Sequence, residues 1–108
     1  MGTARMAQPR ADDPVKVDPK HYTVEFENEH VRVLRIKYGP GEKSVMHSHP
    51  ESIAVFLTDA HGKFTYPDGR TEDINAKAGT VQRMDAHSHL PESSSKKAFE
   101  VIAVELKR

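Results

Sequence analysis

The sequence predicts a single all-β domain, a sandwich or barrel of short strands with little helix. After residue 20, runs of β-branched and aromatic residues alternate with turn residues at the spacing typical of such folds. No segment there repeats apolar side chains every three or four residues, so an amphipathic helix is not expected. A chain of 108 residues, 36% of them hydrophobic, closes one modest core. We therefore expect one barrel domain over residues 21–108.

Turn-forming residues separate the predicted strands. Asn28 and Glu29 form the first turn. Pro67, Asp68 and Gly69 form a hairpin turn in which the glycine supplies a positive φ. The predicted strands are residues 21–27, 31–38, 52–57, 62–66, 70–74, 80–84 and 98–106, the last of them reached through a serine-rich turn at residues 93–95.

Two of these strands contain the runs SIAVFL and VIAV, which are apolar at successive positions rather than at every second one. A strand of this kind is usually covered on both faces. One face would lie in the core and the other against a second copy of the chain. We therefore expect a homodimer.

The first 20 residues contain too few apolar side chains to offset the entropy of ordering them alone. We expect residues 1–20 to be a flexible arm, or an arm that exchanges with a partner subunit. The segment has no apolar run of the length that a secretory signal or a membrane span requires.

Charge and cysteine content exclude several classes of function. The 16 basic and 16 acidic side chains balance, and no block of Lys or Arg suggests binding to nucleic acid or to an anionic membrane. The chain has no cysteine, which excludes disulfides, thiolate metal sites and a cysteine nucleophile. A reducing compartment suits such a chain, so we expect a cytoplasmic protein.

Histidines carry the candidate chemistry. His47 and His49 lie two apart in a segment that we expect to be extended, so both imidazoles project from the same face. Neutral imidazoles suit Zn, Fe, Ni, Co or Mn, whereas Ca and Mg prefer oxygen ligands. His87 and His89 repeat the same spacing. In a closed barrel, strands distant in sequence can bring two such pairs together on the inner wall, which makes a third ligand available.

Around these histidines the chain resembles the cupins. Their first motif, a Gly, five residues and His-x-His, is matched from Gly41 to His49. Their second motif, a Gly, five residues, a Pro-x-Gly turn and a His, has its frame from Gly79 to His89. The segments HSHP, PDG, AG and VELK are similar to those of small one-domain cupins. The resemblance implies a conical jelly-roll barrel, usually dimeric, with one divalent transition metal inside its open end.

The sequence departs from the cupin motifs at two places. The glutamate ligand of the first motif falls at Ile53 or Ala54, neither of which can bind a metal, and Glu51 lies nearby at a different offset. The Pro and Gly of the second motif are replaced by Asp85 and His87, so the turn that aims the following histidine has lost its stiffest residues.

From the cupin motifs and these two departures together, we expect a three-histidine metal site formed by His47, His49 and His89. His87 could rotate in as an alternative or additional ligand, and Glu51 could be a fourth ligand or lie behind the first three. The metal would be Fe, Mn, Zn, Ni or Co.

Other polar side chains are expected to be ordinary surface groups. His21, His30 and His61 lie at strand starts or turns, where a solvated imidazole is the usual outcome. Arg32 and Arg83 could clamp an anionic substrate from the barrel mouth, but the outer face is the usual place for such side chains.

Three neutral imidazoles leave a bound ion its full positive charge, so it could bind an oxygen substrate, polarise a carbonyl or, as iron or manganese, bind dioxygen. Three-histidine cupins include dioxygenases. The resemblance therefore implies a metal-dependent dioxygenase acting on a small organic acid or carbonyl compound. Two alternatives stay open: a non-catalytic cupin that binds a small ligand or a metal as a sensor or store, and a structural dimer with a decayed site.

Overall fold

The structure is a computed structural model that describes residues 12–108. Over this range the chain forms one short helix followed by nine strands. The elements are α1 (Pro14–Val17), β1 (Tyr22–Glu27), β2 (Val31–Tyr38), β3 (His47–His49), β4 (Ser52–Phe56), β5 (Ala60–Thr65), β6 (Thr71–Ala76), β7 (Val81–Met84), β8 (His87–Ser93) and β9 (Phe99–Leu106).

The strands form two antiparallel sheets. The larger sheet has the order β1-β2-β9-β4-β7, and the smaller one the order β3-β8-β5-β6. Because chain neighbours such as β3 and β4 lie in different sheets, the chain crosses repeatedly from one sheet to the other, as in a jelly roll. The predicted all-β class with little helix is confirmed.

Alternating burial along the strands places the core between the two sheets. In β9, every second residue from Phe99 onwards is buried, including Val101 and Ala103. Leu34 and Tyr38 of β2 lie on the same inner face and are fully buried. Burying a leucine side chain contributes roughly 1.5–3 kcal/mol. The remaining core residues are Tyr22, Ile36, Ala54, Phe56, Ala60 and Ala76.

Seven observed strands agree with the predicted ones to within one or two residues, and β3 lies in the segment expected to be extended. One further strand, β8, has no counterpart among the predictions. β8 has the sequence HSHLPES, whose polar residues and proline give little β signal. Pairing with β3 on one side and β5 on the other makes it extended. The predicted turn at residues 93–95 is wrong at Ser93, which ends β8 and is buried.

Gly62 allows β5 and β8 to approach closely. A Cβ atom at this position would lie 2.2 Å from the carbonyl oxygen of Glu92 on β8. Any other residue would therefore force the two strands apart. The predicted hairpin turn also holds, because Gly69 has a φ of 88°.

The segment before β1 packs on the barrel. Asp13 caps α1, since its Oδ1 accepts a hydrogen bond of 3.0 Å from the Val15 amide, and Pro14 at the first turn is buried. The Ser48 amide of β3 donates to the carbonyl of Asp12. Residues 12–20 of the predicted arm thus lie against the barrel of their own chain, and residues 1–11 fall outside the described residues.

Candidate metal centre

The pairing of β3 with β8 places the two His-x-His segments directly opposite each other. His47 faces His89 and His49 faces His87, with the intervening serines paired between them. Residues opposite each other in an antiparallel pair project from the same face, so all four imidazoles lie on one side of the sheet. That side faces the barrel interior, where three of the four histidines, His47, His49 and His89, are buried.

Three imidazole nitrogens converge at one point. His47 Nε2 lies 3.1 Å from His49 Nε2 and 3.1 Å from His89 Nε2. The ligand atoms of these three residues all lie within 4.8 Å of one another. The structure therefore brings together the three histidines that the sequence predicts as metal ligands.

Hydrogen bonds at the opposite ring nitrogens fix the tautomers of His47 and His49. His47 Nδ1 lies 2.8 Å from the Val45 carbonyl oxygen, which can only accept, so this nitrogen carries the hydrogen. His49 Nδ1 donates to the Glu105 carboxylate at 2.8 Å. Both rings therefore direct an unprotonated Nε2 toward the point of convergence.

His87 fixes the third tautomer. Its Nδ1 donates to the carbonyl oxygen of Asp85 at 2.6 Å, so its Nε2 is an acceptor. That Nε2 lies 3.1 Å from His89 Nδ1, which donates to it and leaves the His89 Nε2 unprotonated. His87 thus contacts the side of His89 that faces away from the cluster, and it does not join the three converging nitrogens.

This donor set fits a transition metal ion. Unshared electron pairs on nitrogens 3.1 Å apart repel each other unless a cation lies between them. Two nitrogens bound to one ion at about 2.0–2.1 Å are themselves about 3.0–3.4 Å apart. Three imidazoles also leave open positions for a water or a substrate.

Burial keeps the imidazoles of His47 and His89 neutral. It lowers the pKa of His47 to about 4, with a smaller contribution from neighbouring His49. Burial, assisted by the surrounding histidines, also holds the pKa of His89 far below its usual range. Since a protonated imidazole cannot bind a metal, these shifts keep His47 and His89 available as ligands at neutral pH.

Rings packed against the cluster restrict its movement. The Tyr22 ring lies edge-on to His47 with centroids 4.7 Å apart, and the Phe64 ring lies 4.2 Å from that of His89. Side chains held by packing keep the ligands close to one geometry, which favours tight binding.

Glu105 is a site residue that the sequence interpretation missed. It is 2% exposed, and besides His49 it binds Arg32, whose Nε donates to Glu105 Oε1 at 2.9 Å. Arg32 in turn forms an ion pair with Asp13 at the start of α1. The expectation that Arg32 lies on the outer face is therefore wrong. The sequence does contain a signal for the burial of Glu105. In β9 it lies an even number of positions from Val101 and Ala103, so it points to the same buried face.

Glu51 lies outside the cluster. Its two carboxylate oxygens form ion pairs with Arg83 and Arg108 at 2.7 and 2.9 Å. At the position of the cupin glutamate, Ile53 is half-buried in the larger sheet and Ala54 lines the barrel interior. The described residues thus offer the three histidines without a carboxylate among the converging atoms.

His21 is also buried, at 5% exposed, so the expectation of a solvated side chain is wrong for it. Its Nδ1 lies 2.7 Å from Asp18 and its Nε2 lies 3.0 Å from Glu42, and its ring stacks on Tyr38. Asp18 lies only three residues before His21, whereas Tyr38 ends β2 and Glu42 lies in the loop after it. The burial of His21 depends on these two distant partners, which no local pattern indicates.

An apolar cavity of about 70 Å³ lies beside the cluster. His49, His87 and His89 form part of its wall, and most of the remainder is aromatic or aliphatic. A small molecule in this cavity would lie beside the rings of these three histidines. The arrangement is therefore suited to holding an ion and a small organic molecule side by side.

Comparison with solved structures identifies the fold, although no protein-family profile and no curated protein sequence matches the chain. A cupin domain from Bordetella pertussis has a TM-score of 0.74 at 22% identity, over 81% of this chain and 92% of that one. A conserved protein with a double-stranded β-helix domain from Klebsiella pneumoniae has a TM-score of 0.63 at 18% identity, over 92% of this chain and 81% of that one.

A structure of DMSP lyases is also similar, with a TM-score of 0.54 and 17% identity, over 71% of this chain and 38% of that one. At such identities the likeness establishes the fold and leaves the activity open. Within residues 12–108, the helical structure falls short of the length and hydropathy that a membrane crossing requires. The barrel of residues 21–108 has the double-stranded β-helix fold of the cupins.

Proposed function

We propose that the protein binds one divalent transition metal ion through His47, His49 and His89 and is a metal-dependent dioxygenase of a small organic molecule. The observation that carries the proposal is the convergence of three unprotonated Nε2 atoms whose rings are each fixed at Nδ1. When bound, the ion would supply a Lewis-acidic centre and, as iron or manganese, one-electron chemistry with dioxygen.

The chain's own residues have three tasks in this proposal. Val45, Glu105 and His87 hold the hydrogens of the three ligand rings away from the ion. The apolar cavity excludes water and holds the organic molecule beside the open positions. The neutral ligands leave the charge of the ion uncompensated, which favours an oxygen donor as the molecule that binds there.

A decayed site is the less favoured alternative. Loss of function usually removes the supporting hydrogen bonds along with the ligands, yet here every ligand ring keeps its Nδ1 partner. A non-catalytic binding protein would use the same cluster, so only a measurement of activity distinguishes it from a dioxygenase.

Metal analysis tests the proposal. We expect about one equivalent of transition metal in tag-free wild type grown in metal-replete medium, measured by mass spectrometry. His47→Ala and His89→Ala each remove one of the three ligands, and each should abolish metal binding. The matched control is His30→Ala, which changes an exposed histidine and should keep the metal.

Oxygen uptake then separates the functions. The dioxygenase proposal is supported if the iron or manganese form consumes oxygen with a small carbonyl compound or organic acid. The same oxygen uptake should be lost in His47→Ala. A bound metal without uptake across such a panel would overturn the dioxygenase in favour of a binding protein. Wild type without any metal would overturn the site itself and leave a structural barrel.

A further inference from the structure

The cavity beside the cluster also limits what can bind there. It begins at His49, His87 and His89 and extends between the two sheets. Its deeper wall is formed by apolar side chains from both sheets. Those that matter for the argument are Ala54, Phe64, Ile74, Met84, Phe99 and Ala103.

The charge of the lining excludes some ligands. Among residues 12–108, neither lysine nor arginine lines the cavity. Glu92 is the single acidic residue of the wall, and it lies out of step with buried Pro91 and Ser93 of β8, with its carboxylate 3.9 Å from the Lys63 ammonium on the outer side. A ligand whose body carries a carboxylate or an ammonium would bury that charge without a partner, which is strongly unfavourable. The hydroxyls of Tyr22 and Tyr38 are hydrogen-bonded to each other at 2.7 Å and so are already partnered.

The size of the cavity sets a second limit. A volume of about 70 Å³ is about half of the roughly 150 Å³ cavity that holds benzene in a protein core. It therefore accommodates an aliphatic group of about three or four non-hydrogen atoms, such as an isopropyl group.

We propose that the site takes a small molecule with a single oxygen-donor head directed at the three histidines and a compact, uncharged aliphatic body in the cavity. This rests on the proposed metal site. It narrows the expected small organic acid or carbonyl compound to short-chain molecules with one functional group, and it excludes dicarboxylates, amino acids and sugars.

A series of hydroxamates that share one metal-binding head and differ in their bodies tests this proposal. The probes are acetohydroxamate, isobutyrohydroxamate, the monohydroxamate of succinate and β-alanine hydroxamate, titrated into the cobalt(II)-loaded protein with calorimetry and visible absorption. We expect isobutyrohydroxamate to bind about tenfold tighter than acetohydroxamate, because its isopropyl body buries two further methylene equivalents. The charged bodies should bind more weakly than acetohydroxamate.

Filling the cavity should remove this preference. In Ala103→Val we expect isobutyrohydroxamate to lose its advantage, while acetohydroxamate binding and cobalt content stay as in wild type. Ala54→Val reduces the same cavity from another strand and serves in case the first variant fails to fold. The matched control is Ala98→Val, at an exposed alanine outside the cavity.

The outcomes separate this inference from the metal site. Failure to load cobalt, or to bind acetohydroxamate, would overturn the proposed metal function. Normal cobalt loading with equal affinity for all four probes, or a preference for a charged body, would overturn the inference about the cavity alone. A fifth probe, benzohydroxamate, has a body too large for the cavity, and binding as tight as that of isobutyrohydroxamate would overturn the size limit.

Discussion

At the scale of single residues, the hydrogen-bond partners of the ligand histidines decide how tightly the cluster binds an ion. Each ligand ring has one nitrogen facing the cluster and one facing an acceptor. An acceptor behind a ligand fixes its tautomer and raises its basicity, and its removal typically costs 10–100-fold in metal affinity. Glu105 and His87 are side-chain acceptors, so both can be tested by substitution.

Glu105→Ala should weaken metal binding by about 10–100-fold without changing the stoichiometry, because His49 would keep its Nε2 but lose the carboxylate behind it. Competition against a chromophoric zinc chelator measures the affinity. Glu100→Ala is the matched control, since Glu100 lies on the same strand and pairs with Arg35 away from the cluster. An affinity equal to that of wild type would show that the carboxylate does not support His49.

His87→Ala distinguishes a supporting residue from a ligand. We expect this variant to bind one equivalent of zinc with affinity lowered about 10–100-fold, since only the acceptor behind His89 is lost. His89→Ala should lose stoichiometric binding under the same conditions. Equal losses in the two variants would mean that His87 itself binds the ion.

Sequence patterns predict the ligands better than their partners. The two His-x-His pairs and the glycines before them are local motifs, so His47, His49 and His89 can be selected without a structure. Asp85 supplies a backbone carbonyl to His87, and Val45 supplies one to His47, which no side-chain pattern reveals. Backbone acceptors depend on local chain path, and that path is set by folding.

At the scale of elements, the pairing of β3 with β8 builds the site, and these are the segments with the weakest strand signal. Hydrophobic alternation predicts strands that bury one apolar face. The histidine strands bury polar side chains instead, so their alternation is hidden. β8 is extended because β3 and β5 pair with its two edges, which is a tertiary effect.

Gly62→Ala should destabilise the protein by about 3 kcal/mol, because the added Cβ would lie 2.2 Å from the Glu92 carbonyl oxygen and β5 would have to move from β8. Urea unfolding of the metal-free protein measures the change. Lys63→Ala, at an exposed site on the same strand, is the control and should stay within about 0.5 kcal/mol of wild type. A change of similar size in both variants would contradict the close approach.

On the scale of the whole molecule, the outer face of the larger sheet carries an apolar patch. The cross-strand pairs Phe26 with Val33 and Val55 with Val81 both point away from the core. Phe26 is 53% exposed and Val81 is 64% exposed. Between them lie the half-buried residues Ile53, Ile102 and Val104. The successive apolar residues of SIAVFL and VIAV therefore supply both the core and this outer face.

We expect a second copy of the chain to cover this face. Arg35 lies on it between Glu25 and Glu100, so the face carries both signs of charge. In a two-fold assembly, the same patch meets itself, and such a patch can satisfy its own charges. A contiguous exposed apolar patch often marks an interaction surface. The homodimer expected from the sequence thus stays a prediction with a defined interface.

Phe26→Glu and Val81→Glu should each convert a dimer to a monomer at micromolar concentration, because an unpaired carboxylate buried between two sheets costs several kcal/mol. Light scattering gives the mass, and circular dichroism checks that the barrel is intact. Val17→Glu, at an exposed valine of α1, is the control and should leave the mass unchanged. If wild type has the mass of one chain, the predicted dimer is contradicted, and this face is left for another partner.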